Sequence, residues 1–231
     1  MDQGLKRRAV AELVGTGFLV AAVVGSGIMA ERLAVGNPAL ALLANTIATG
    51  AALVALILAL WPISGAHFNP VVSLTTALQS EPDWSSFSIY VGAQILGGLV
   101  GVAVANLMFG LPAISVSHHT RGGVQLVASE FVATFGLIVV INGCARAGPK
   151  TIAIAVAGYI MAAYWFTPST SFANPAVTIA RSMSDTFTGI APANVPGFIA
   201  AQILGGMAAT VLFRWLLTVP DGSETTRRKN V

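Results

Sequence analysis

The chain has 231 residues, of which 55% are hydrophobic and 9% charged, and its mean hydropathy is +0.78. A water-soluble domain carries about 25% charged residues, so these proportions exclude a soluble fold and describe an all-α integral membrane protein, long enough for about six crossings of ~20 residues each. The formal charge of +3 comes from basic residues gathered at the two ends, Lys6, Arg7, Arg8 and Arg227, Arg228, Lys229, a pattern of cytoplasmic anchoring and not of nucleic-acid binding.

Six long apolar segments follow in chain order, at 10–30, 39–61, 84–109, 125–145, 151–167 and 196–219. The first resembles the start of a secretory signal. Its 21 apolar residues carry only Glu12 as a charge and exceed the ~7–15 of a cleavable segment, so it is predicted to stay as a span. The segments are joined by turn-rich loops at 31–38, 80–83, 111–123, 146–150 and 185–196. An even number of spans puts both termini on one side, and Arg146 and Lys150 in the fourth-to-fifth loop agree with the terminal clusters that this side is cytoplasmic. The expected location is the inner (plasma) membrane. A lone Cys144 cannot form an internal disulfide, and no Cys and His cluster has metal-site spacing. No nucleotide-binding loop, catalytic constellation or cofactor motif is present, so no enzyme, cofactor or metal is expected.

Two apolar pieces are too short to span. His67 to Leu78 and Ala173 to Met183 have 12 and 11 residues, a helix of ~17 Å, about half the hydrocarbon thickness. Each contains Asn-Pro, at Asn69-Pro70 and Asn174-Pro175; Asn is a favoured N-cap and Pro is tolerated at the first helical position, so both dipeptides read as helix starts. The sequence also repeats itself: AQILGG occurs at 93–98 and again at 201–206, the Asn-Pro pairs are 105 residues apart, and Glu12 and Glu130 each stand near the start of a span. Each half therefore reads as span, span, half-helix, span, and three spans per half make the two repeats inverted. The expected boundaries are 8–110 and 124–218 within a single domain, followed by a cytoplasmic tail at 219–231.

Inverted half-helices meet near the bilayer midplane with their positive dipole ends and the amides of Asn69 and Asn174, which repels cations and protons. Non-helical backbone leading into them, at 64–68 and 169–173, is tolerated at that depth only where it lines a polar cavity. Carbonyl acceptors along a wall and amide donors at its centre suit small neutral solutes.

SGAHFNPVVSL (64–74) and FANPAVTIA (172–180), with the duplicated Glu and AQILGG elements, resemble the paired motifs of the major intrinsic proteins, the aquaporin and aquaglyceroporin superfamily. The match runs from about residue 8 to 218. It implies an aquaporin-like bundle of six transmembrane helices and two re-entrant half-helices, a pore in each subunit, and a homotetramer. By the same resemblance Asn69, Pro70, Val71 and Asn174, Pro175, Ala176 form the central motifs, His67 lines the cytoplasmic half of the pore, and Glu12 and Glu130 brace the re-entrant loops.

Departures from the family pattern bear on the solute. Val71 stands where alanine is usual, and Val177 where an arginine normally narrows the outer filter. The other filter positions fall on Thr49, on Ala162 or Ala163, and on Ser171 or Phe172. The constriction is thus expected to be wide, uncharged and lightly polar. Arg181 lies four residues past Val177, one turn and about 6 Å further out; a side chain there is expected to snorkel to the extracellular mouth, the other reading being a relocated filter arginine. His118 and His119 are expected to be solvated outer-loop residues, and the glycines at 97, 101 and 205 helix-packing positions. This filter resembles that of bacterial aquaglyceroporins of arsenic-resistance type, which implies passage of glycerol-like polyols, water and trivalent metalloid hydroxides such as arsenite and antimonite, with their methylated forms. A water-selective aquaporin is the alternative, and an ion-coupled secondary transporter the reading from another class.

Overall fold

A computed structural model describes residues 3–79 and 83–217. The tail at 219–231 with its basic cluster, the last two residues of the predicted sixth span and most of the 80–83 turn lie outside the described residues. Six long helices carry the architecture: α1 (Gln3–Leu33), α2 (Pro38–Ser64), α4 (Trp84–Met108), α5 (Val124–Cys144), α6 (Pro149–Phe166) and α8 (Val195–Leu217); between them stand two short ones, α3 (Pro70–Gln79) and α7 (Pro175–Arg181). All of α1, α2, α4, α5 and α8 are long and apolar enough to cross a membrane. The helix α6 is 18 residues long and opens on Pro149 and Lys150; at 1.5 Å per residue it still reaches ~27 Å, close to the hydrocarbon thickness.

The predicted inverted repeat appears in the packing. Exchanging α1, α2, α3, α4 with α5, α6, α7, α8 carries the α1–α4 contact onto α5–α8, α1–α2 onto α5–α6, α3–α4 onto α7–α8 and α4–α7 onto α8–α3. The α2–α6 and α3–α7 contacts map onto themselves. Glycines set the closest approaches: a Cβ on Gly97 would strike the Leu13 carbonyl of α1, one on Gly101 the Gly17 carbonyl, and one on Gly205 the Phe131 carbonyl of α5. Small residues at these positions let backbones touch where lipid offers no hydrophobic drive for association.

The half-helices start at their prolines, as the Asn-Pro pairs predict, and are 10 and 7 residues long, shorter than the apolar pieces that contain them. Residues 65, 66 and 68 before α3, and 170, 171 and 173 before α7, have positive φ, a left-handed conformation that cannot continue into a right-handed helix. The asparagines act as the predicted caps: Asn174 Oδ1 accepts from the backbone N–H of Ala176 (3.0 Å) and Val177 (3.3 Å), and Asn69 Oδ1 from that of Val71 (2.9 Å). At its far end α7 closes with Ser182 N–H on Ile179 O and Met183 N–H on Ala180 O, so Ser182 and Met183 stand outside the helix.

The candidate pore and its outer filter

Each re-entrant loop is held by a buried carboxyl group. Glu12 has no exposure, and four donors converge on it: Ser64 Oγ (2.6 Å), His67 N (3.0 Å), Phe68 N (2.7 Å) and Gln94 Nε2 (2.8 Å). Glu130 is equally buried and accepts from Phe172 N (2.9 Å), Ala173 N (2.8 Å) and Gln202 Nε2 (2.6 Å). The glutamines of the two AQILGG segments thus serve the two glutamates, and each also donates to a half-helix hydroxyl, Ser73 (2.9 Å) or Thr178 (2.9 Å). Such networks offset the strain of left-handed alanine, phenylalanine and serine, of order 1–3 kcal/mol per residue.

These bonds decide where the loop carbonyls point. In a trans peptide the N–H and C=O face opposite ways, so turning the amides of 67, 68, 172 and 173 to the glutamates turns the carbonyls of Ala66, His67, Ser171 and Phe172 away from them. No described residue donates to any of these four oxygens, and all four residues line one cavity of about 290 Å³ that runs between the half-helices. At its centre the loops interlock. Asn69 Nδ2 donates to Ala173 O (2.7 Å) and Asn174 Nδ2 to Phe68 O (2.8 Å). An amide nitrogen carries two hydrogens, which leaves one from each asparagine for the cavity that both residues line.

The face that gathers the start of α1 and the ends of α3 and α8 has a second pocket of about 250 Å³, lined by Arg8, Ser64, Ser73, Thr76 and Tyr90. His67 lines both this pocket and the central cavity. Its Nδ1 is 3.0 Å from Ser73 Oγ, and its ring meets Tyr90 edge-on at 5.3 Å.

Toward the opposite face the cavity is lined by Thr49, Tyr164, Ser171, Phe172, Val177 and Arg181. Three expectations need correction here. Neither Ala162 nor Ala163 is part of the wall: Ala162 is exposed on the outer side of α6, and Ala163, though buried, is not part of the lining. Tyr164 occupies the place expected of them, and its hydroxyl lies 3.2 Å from Thr49 Oγ1. Arg181 does not snorkel outward; it is 3% exposed. Side chains in a helix lean toward its N-terminus, so an arginine on the last turn folds back over the turn before it, where Val177 leaves room. The lining is therefore not free of charge. Arg181 Nε donates to Thr188 O, and Cζ lies 3.4 Å from the centroid of the Phe172 ring. The buried Ser171 Oγ has no hydrogen-bond partner among the described residues.

At the rim His118 and His119 lie beside Asp185, with His118 N at 2.8 Å and His118 Nδ1 at 3.1 Å from its carboxyl oxygens. Those two hydrogen bonds hold the Asp185 carboxyl below the usual carboxylate range.

A family profile described as "Major intrinsic protein" matches residues 2–148. The chain belongs to the major intrinsic protein family. Among its relatives, the aquaglyceroporin AqpS of Rhizobium meliloti (strain 1021) is 54% identical over 213 residues, 92% of this chain and 91% of that one. Aquaporin NIP1-1 of Oryza sativa subsp. japonica is 29% identical over 87% of this chain and 71% of its own length. The X-ray structure of the aquaglyceroporin from Plasmodium falciparum superposes with a TM-score of 0.68, covering 91% of this chain and 95% of that one at 21% identity, a likeness of fold. As a major intrinsic protein the chain is a multi-pass membrane protein.

Three side chains of this site carry no assignment from the sequence: Tyr164, Gln94 and Gln202. The glutamines were visible as a repeat whose partners lie 82 and 72 residues away, and only the fold joins them. Tyr164 has no signal beyond its place near the end of an apolar segment, beside the two alanines between which the register stays open.

Proposed function

We propose that the chain is a passive channel for small uncharged solutes, chiefly glycerol-like polyols and water, and that neutral trivalent metalloid hydroxides such as arsenous and antimonous acid, with their methylated forms, share the path. The observation that carries this is the cavity between the two half-helices, lined by Ala66, His67, Ser171 and Phe172, whose carbonyls accept from no described residue, and by Asn69 and Asn174. A solute with several hydroxyls can exchange its hydration for these acceptors and donors one after another. Two half-helix N-termini facing the centre disfavour cations. Arsenous acid is uncharged at neutral pH and resembles glycerol in size and hydrogen bonding, and a protein 54% identical bears the name aquaglyceroporin.

The filter in this account consists of Thr49, Tyr164, Ser171, Phe172, Val177 and Arg181, with His67 lining the opposite half. The working unit is a homotetramer in the inner (plasma) membrane with both termini cytoplasmic, repeats at 8–110 and 124–218 and a tail at 219–231. The channel performs no chemical step. A second function, selectivity for water, is favoured by one observation, the guanidinium of Arg181 in the cavity wall. Stopped-flow light scattering on proteoliposomes separates the two, with arsenic entry followed by elemental analysis. The expected result is glycerol and arsenous acid permeabilities well above protein-free vesicles. Water flux alone would establish the narrower filter.

A further inference from the structure

Arg121 lies on the loop before α5, outside every repeated motif, and its guanidinium turns inward. Nε donates to Gly189 O (2.7 Å), Nη2 to Phe187 O (3.3 Å) and Nη1 to Ser169 O (3.5 Å), while its backbone N–H is tied to Asn194 Oδ1 (2.9 Å). The residue between those first two carbonyls, Thr188, gives its own carbonyl to Arg181 Nε. One three-residue stretch, 187–189, is therefore shared by two arginines. They share a ring as well: Arg121 Cζ lies 5.3 Å, and Arg181 Cζ 3.4 Å, from the Phe172 centroid.

We propose that Arg121 is a positioning residue for the outer filter, fixing the 187–189 turn and the Phe172 ring so that the Arg181 guanidinium is held at one depth in the cavity. Arg121 itself is not part of the cavity wall and acts through Arg181. Its side-chain partners are backbone carbonyls and an aromatic ring, which is the work of a planar fork with fixed donors; a lysine ammonium on a flexible stem cannot reach three separated carbonyls at once. Ser169 O belongs to the re-entrant loop and Phe187 O and Gly189 O to the segment after α7, so one guanidinium ties together the two strands of chain that flank the filter.

This inference rests on Arg181 being a filter residue, and the test keeps the two apart. Full-length protein is reconstituted as wild type, Arg181→Leu, Arg121→Met, Arg121→Lys and the Arg181→Leu/Arg121→Met double variant. The readout is the ratio of xylitol to glycerol permeability in the same vesicles, which is independent of how much protein folds. Arg181→Leu is expected to raise the ratio by about fivefold or more, equivalent to about 1 kcal/mol between the two barriers. Arg121→Met is expected to raise it in the same direction, and the double variant no further than Arg181→Leu alone. Arg121→Lys, the milder change should the methionine variant not fold, is expected to raise it too. A wild-type ratio in Arg121→Lys, or in Arg121→Met while Arg181→Leu shifts, overturns the positioning role, as do effects that multiply in the double variant. An unchanged ratio in Arg181→Leu overturns the filter assignment beneath it.

Discussion

Glu130→Gln is expected to bring glycerol flux close to that of empty vesicles and to destabilise the purified protein by about 3–5 kcal/mol. The carboxyl group has no exposure and presents acceptors to Phe172 N, Ala173 N and Gln202 Nε2. An amide of the same shape has one acceptor oxygen, and its NH2 must face donors. Whichever way it turns, either Phe172 N–H or the Ala173 and Gln202 donors lose their partner in a dry interior, at ~1–3 kcal/mol for each unsatisfied group. The left-handed residues Ser171 and Ala173 then lose what holds them, and the carbonyls of 171 and 172 leave the cavity wall. Thermal unfolding in detergent and stopped-flow glycerol flux check this together. An unchanged melting temperature with full flux would show that the loop holds itself without the carboxyl group. Glu12→Gln should behave alike.

The second large effect is on passage alone. Val177 lines the cavity one helical turn before Arg181, at 5% exposure. Val177→Arg would put two guanidinium groups in one desolvated space about 6 Å apart, where repulsion at an effective dielectric of 20 is about 3 kcal/mol. It would also fill part of a cavity of about 290 Å³. Glycerol permeability is expected to fall at least about tenfold, equivalent to 1.4 kcal/mol on the barrier, with a smaller loss of water permeability. Stopped-flow light scattering with glycerol and with an impermeant osmolyte measures both. A glycerol-to-water ratio equal to that of wild type would place the narrowest point elsewhere.

The half-helices are legible in the sequence because two local signals coincide, an Asn-Pro start and an apolar run too short to span. The inverted repeat is legible because AQILGG and the glutamates recur in register. The conformation of the loops before the half-helices is not legible, since the positive φ of alanine, phenylalanine and serine at 66, 68, 171 and 173 is imposed by tertiary hydrogen bonds to Glu12 and Glu130. The central asparagines follow from their own motif, whereas the outer filter depends on which way side chains lean. Distance along the helix alone sets Arg181 further out, but a helix tilts its side chains back toward the N-terminus, and six ångströms of backbone are recovered by one long side chain. Ala162 and Ala163 follow from counting along the chain, and a one-residue difference in register rotates a helical position by about 100°, enough to exchange a wall residue for one on the outer side. The Arg121 guanidinium has backbone carbonyls and a ring as its described partners, and no sequence pattern marks such a set.

A passive pore has asparagine amides at its centre in place of a titratable or ion-binding group, as Asn69 and Asn174 are placed here. The most direct test loads proteoliposomes with an imposed proton or sodium gradient and follows labelled glycerol to its plateau. A passive channel equilibrates: the inner concentration stops at the outer one whatever the gradient, and inward and outward rates are equal. Accumulation above the outer concentration that collapses with an ionophore would contradict the account and identify a coupled transporter built on the same inverted repeat.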